Sequence, residues 1–224
     1  MDLKGWRLQL GMESSYRFAF DKALADLKGQ DPERVCRNAL ALRTPEGYEV
    51  PFLGEAVRVH LEAGQVLDGA GAPLSVGTAM LVLHHLAWAR DVEPEGTWIT
   101  LKQVPEGGDL FFPAFKKEVM DALVGTYQRD LPAFLSAAKS LGATPLAMGE
   151  AGMRFQMFPK VPLAVVLWGA DEELPGSANF LFDRTIHHFA PLETLIGFGY
   201  YLAQKLVRHP GAPCPTRRLD PFWE

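Results

Sequence analysis

The eight residues Val161 to Trp168 read VPLAVVLW, an apolar run with no charge and no polar group before the final indole. A strand with one wet face alternates apolar and polar residues. An unbroken apolar run of strand length therefore has to be covered on both sides. The run is bounded by the turn residues Pro159-Lys160 before it and by Gly169 and the acids Asp171-Glu172-Glu173 after it. The chain must thus build layers on either side of one central strand, with a cluster of carboxylates at that strand's end.

The rest of the 224-residue sequence supplies those layers. At this length a core forms without metal or disulfide staples. Tyr16, Phe20, Ala23, Leu24 and Leu27 recur at helical spacing behind a Ser14-Ser15 cap. Asp31-Pro32-Glu33 has the form of a second helix start. Val57, Val59 and Leu61 alternate with Arg58, His60 and Glu62 inside a stretch punctuated by glycine and proline, which predicts a meander of three or four short strands. Ser75 caps VGTAMLVLHHLAWA, which is apolar all round and so predicted to be a buried central helix. A strand is expected at Thr97–Leu101, then the loop VPEGGDLFFP. Helices follow through Phe115–Tyr127 and from Asp130 to Gly142. Met153, Phe155 and Met157 predict a strand beside 161–168. NFLFD reads as a short strand or a helix entry, and a long helix begins at Pro191. Strands and helices do not alternate strictly, so the expected class is α+β: a mixed or antiparallel sheet packed with about five helices. One domain over 1–224 is expected, with its core in about 15–207 and an irregular proline-rich tail from 209, whose Phe222 and Trp223 are candidates to dock on the body.

Composition removes several functions. The net charge of −5, with no long basic cluster beyond Lys116-Lys117 and Arg217-Arg218, argues against nucleic acid. Cys36 and Cys214 have no zinc or iron–sulfur spacing and read as free thiols in a reducing cytosol. The N-terminus does not read as a signal peptide, and no apolar run is long enough for a membrane helix. A cytoplasmic protein is expected. The nucleophile elbow, the P-loop and the His-Glu-x-x-His helix are absent from the sequence, so the common hydrolases, nucleotide hydrolases and zinc peptidases are disfavoured.

Four constellations carry chemistry. Asp171 and Glu172, at a sheet edge, suit a hard cation such as magnesium or calcium, or else form a solvated turn. Asp183 and His187 stand four apart, so a helix there would put them on one face as an Asp–His pair or two metal ligands; Asp183 is equally a helix cap. His84 and His85 diverge by about 100° on a helix and cannot share one ion, although one imidazole suffices as the axial ligand of a tetrapyrrole. A buried hydrogen-bonded histidine is the plainer reading. Gly107-Gly108, with Phe111, Phe112 and Phe115 behind, is a ligand-covering flap or a tight turn whose aromatics plug the core.

Taken together, Leu83-His84-His85-Leu86, Gly107-Gly108, Pro159 and Pro162, Trp168 through Pro175, Leu181-Phe182-Asp183 and Glu193 resemble the signature of a prokaryotic family, domain of unknown function 3786. The resemblance covers about residues 15–207 and implies one domain without implying a reaction. This chain departs from the pattern in three places. His85 replaces a usual tyrosine, Leu174 a usual phenylalanine, and Gly169-Ala170 puts alanine where glycine is usual before Asp171.

The expectation is a small-molecule, cofactor- or metal-binding domain. Its pocket would lie where the end of strand 161–168 meets helix 76–89. Trp168, His84, Gly107 and Gly108 would contact a cofactor; Asp171, Glu172, Asp183 and His187 would hold a metal. The cofactor is left open between a divalent metal and a tetrapyrrole. Two alternatives stand beside it: a metal-assisted hydrolase or acid–base enzyme, and a non-catalytic module that docks to a protein partner or to itself.

Overall fold

The computed structural model describes residues 17–213. The Ser14-Ser15 cap, Cys214, Arg217-Arg218 and the tail aromatics lie outside that range. The class is α+β, with two antiparallel sheets.

Helix α1 (17–28) and helix α2 (Pro32–Ala39) come first, the latter capped by Asp31, whose carboxylate accepts from Glu33 N. The predicted meander follows as β1 (Leu42–Arg43), β2 (Gly47–Phe52), β3 (Glu55–His60) and β4 (Gln65–Leu67), each strand paired with the next. Leu53 and Gly54, at φ of 50° and 82°, make the two-residue turn of the β2–β3 hairpin. Helix α3 (Val76–Trp88) starts where Ser75 Oγ accepts from Thr78 N.

The second sheet has the order β5-β9-β8-β7-β6: β5 (Trp98–Thr100), β6 (Thr144–Pro145), β7 (Ala151–Phe158), β8 (Val161–Trp168) and β9 (Ser177–Asp183). Strand β8 is central, as its composition requires. Leu163, Val165 and Leu167 enter the main core, whereas Ala164 and Val166 join a small cluster on the other face. Trp98, Leu146 and Trp168 pack against that second cluster. The sheet packs against α5 (Asp121–Tyr127) and α6 (Leu131–Ser140), and α7 (Leu192–Val207) packs on both helices with Phe198 against Phe158 of β7. A bulge between Gln156 and Phe158 breaks the alternation of β7, so that Met157 and Phe158 are both buried. The sheets meet where Leu53 N donates to Met157 O at 2.8 Å, and a single buried apolar cluster runs from Phe20 to Val207 through both.

Two local expectations change. The predicted loop through Phe111 and Phe112 is a helix, α4 (Gly108–Phe115), which runs through a π-helical turn, Lys116–Met120, into α5. Pro113 inside α4 is what hides it: proline removes an intrahelical donor and reads as a breaker. Of its aromatics only Phe115 is buried, with Phe112 half-buried and Phe111 exposed, so the aromatic plug is largely Phe115. Of the two readings of NFLFD the strand holds, and the segment between Asp183 and Phe189 contains a 3-10 turn, Ile186–His188, in place of an α-helix.

Candidate functional site

Asp171 sits in a turn beyond β8 and is exposed, as are Glu172 and Glu173. Its Oδ1 accepts from Glu173 N at 2.9 Å and Leu174 N at 2.7 Å, which hold its carboxyl below the usual range. The acid stabilises its own turn. The turn itself is anchored by Gly169 N donating to Glu150 Oε2 and by Ala170 N donating to Gln128 O. Ala170 has no left-handed φ, so alanine fits where the family pattern has glycine.

Asp183 ends the neighbouring strand and is buried, at 1% exposure. Its two oxygens accept from Glu95 N (3.1 Å), Gly96 N (2.7 Å), Thr185 N (3.0 Å) and Thr185 Oγ1 (2.7 Å). Burial opposes its charge, but the donors of Thr185, Glu95 and Gly96 outweigh that and keep the carboxyl below its ordinary value. Four donors occupy the lone pairs that a metal would need. Asp183 is therefore a staple for the loop 91–96. A second clamp is Lys160, itself buried, with Nζ 2.8 Å from Glu93 Oε1 and 3.3 Å from Asp91 Oδ1. Burial works against its charge, yet those two carboxylates hold its pKa above the ordinary lysine value.

The expected pocket does not assemble, for a topological reason. Strands β8 and β9 are antiparallel, pairing Trp168 with Ser177 at one end and Leu163 with Phe182 at the other. At about 3.3 Å per residue, the Asp171 turn and Asp183 lie roughly 20 Å apart. The histidines belong to the Asp183 end. His85 is fully buried and stacks on Phe158 with centroids 3.8 Å apart; its Nδ1 lies 3.2 Å from Phe189 O, and its Nε2 has no partner among the described residues. Burial drives its pKa down to about 3, against a weaker upward pull from the Phe189 carbonyl. His84 is half-buried, 2.7 Å from Thr194 Oγ1 through Nδ1, and its pKa is also lowered by burial. His187 lies against His188, 3.9 Å between centroids, and does not share a helix face with Asp183. Asp171, Glu172, Asp183 and His187 thus do not form one metal shell. Among the described residues no three His, Cys, Asp or Glu side chains are grouped to hold an ion.

The other expected contacts are architectural. Gly107, at φ 105°, turns the chain into α4, and a Cβ on Gly108 would fall 2.0 Å from Leu101 O. Only glycine allows that close backbone approach. Trp168 is half-buried over the outer face of the sheet, roughly 20 Å along β8 from the end at which His85 stacks on Phe158.

A cleft that the motif reading missed lies elsewhere, between the first turn of α3, the end of α6 and the last turn of α7. Its volume is about 450 Å³. Leu74, Leu141 and Tyr201 line its apolar side, and Lys205, Arg208 and His209 its basic side. Burial pushes the Tyr201 phenol up, and Lys205 Nζ lies 5.4 Å from its ring centroid. A second hollow of about 280 Å³ shares Leu141, Tyr201 and Lys205 and adds Glu55. The sequence signal that was available is the basic run Lys205, Arg208, His209 closing an otherwise apolar helix.

Fold and cleft together define an α+β protein with a preformed hollow. The chain belongs to the family described as domain of unknown function DUF3786, whose model matches residues 31–205. Neither curated proteins nor solved structures gave a match. Among the described residues no helix is long and apolar enough to cross a membrane.

Proposed function

We propose that this domain binds a small molecule in the cleft between α3 and α7. The observation that carries this reading is the cleft itself: at about 450 Å³ it falls within the roughly 300–1,000 Å³ of ordinary ligand sites, and like them it combines apolar walls with a few polar groups. The metal-dependent and acid–base readings have less behind them. Asp171 and Glu172 stand in solvent, and Asp183 is committed to Glu95, Gly96 and Thr185. We read the compartment as cytoplasmic on the unpaired Cys36 thiol.

The test is an amide NMR screen of the full chain against a library of small neutral and charged compounds, with thermal shift in parallel. Saturable shifts at Ser75, Thr78, Tyr201 and Lys205 are expected from some members. A library that leaves all four amides unmoved overturns the reading.

A further inference from the structure

We infer that the cleft selects an amphipathic anion: one carboxylate or phosphate monoester head on a short hydrocarbon tail. The inference rests on the proposed binding function and narrows it. Its basis is the distribution of charge around the hollow. Lys205, Arg208 and His209 all border it, and no Asp or Glu of the described residues does. The protein as a whole carries a net charge of −5, so a cavity whose ionisable lining includes basic groups and no carboxylate of the described residues runs against the general composition. Cations at the end of α7 also complement the helix dipole; that accounts for their place on the helix, but not for the absence of carboxylates from the facing walls on α3 and α6. The tail is set by the opposite wall, where Leu74, Leu141 and Tyr201 offer apolar surface. A rim cation attracts a head group while the stem packs on the floor, the usual division of labour in such pockets. The adjoining hollow carries Glu55 and shares the Lys205–Tyr201 wall, so an anion is kept to the larger compartment by like-charge repulsion.

The experiment titrates the full-length protein with octanoate, octyl phosphate, octanamide and octylamine, followed by amide NMR at Ser75, Thr78, Tyr201 and Lys205. Octanoate or octyl phosphate is expected to bind saturably, octanamide more weakly and octylamine least; which of the two anions binds tighter identifies the head group. The double variant Lys205→Gln, Arg208→Gln changes exposed side chains only, and should weaken the anion about fivefold or more and octanamide by less. Binding of octanamide or octylamine as tight as that of the anions, or an anion affinity untouched by the double variant, overturns the inference. If none of the four probes binds but a compound of the wider library moves the same amides, the inference falls and the binding function stands. If nothing moves them, both fall.

Discussion

Asp171 and Asp183 belong to turns at opposite ends of one β-hairpin, and the same side chain does two different jobs there. At the β8 end Asp171 is in water and bonds only to amides of its own turn. At the β9 end Asp183 is buried and bonds to amides 87 and 88 residues away in sequence. The first is a local device and the second is a tertiary one. Acidity at a strand end therefore says little about function until it is known which distant backbone groups face it. An exposed carboxylate of this kind contributes almost nothing to stability, whereas a buried one supplies acceptors to donors that would otherwise be orphaned.

That contrast can be broken by experiment. Asp183→Ala leaves the amides of Glu95, Gly96 and Thr185 without acceptors, and should destabilise the protein by about 3–5 kcal/mol in urea unfolding; a loss under 1 kcal/mol would reduce Asp183 to a bystander. The next largest effect is acid lability at the same end. His85, with a folded-state pKa of about 3, stays neutral in the native protein, while the unfolded chain takes up a proton near its ordinary value of about 6.5. Stability is thus independent of this residue above about pH 6.5 and is lost steadily as pH falls toward 3. The loss reaches about 3 kcal/mol at pH 4.5, and His85→Phe should flatten the slope measured between pH 7 and pH 4.5. His84 and His188, also lowered by burial, leave a residual slope of the same sign. Asp183 adds a loss of the same sign at lower pH: its carboxyl, held below its ordinary value, contributes stability that is present above the usual carboxylate range and lost as pH falls through it, below this window. Lys160→Met removes the clamp on Asp91 and Glu93 and should cost about 1 kcal/mol, because both acids are exposed. Smallest of all, Asp171→Asn and Glu172→Ala should leave the thermal midpoint within measurement error; a large drop in either would show that the exposed end is more than a turn.

The sequence made the framework readable where one local rule decided. The Ser75 and Asp130 caps, the alternation in β3 and β7, and the apolar run of β8 all led to elements at the places read. It misled where long-range contacts decided. Asp183 reads as a cap because caps are local, and it does accept from Thr185, but its other two donors, Glu95 N and Gly96 N, lie in the loop before β5. Pro113 disguised α4 as a loop. The pocket was assigned by joining conspicuous residues, Trp168 and Asp171 with His84, that the antiparallel pairing of β8 and β9 sends to opposite ends. The cleft was invisible for the converse reason. Leu74, Leu141 and Tyr201 are unremarkable singly, and only the meeting of three helix ends makes them one wall.

Among the described residues, the backbone hydrogen bond from Leu53 N to Met157 O couples two pleated layers that are otherwise separate ladders. Amide exchange at that one position should therefore run at the slow rate of β7 rather than at the faster rate of a short surface hairpin, making it a reporter of whether the layers open independently or in a single cooperative step.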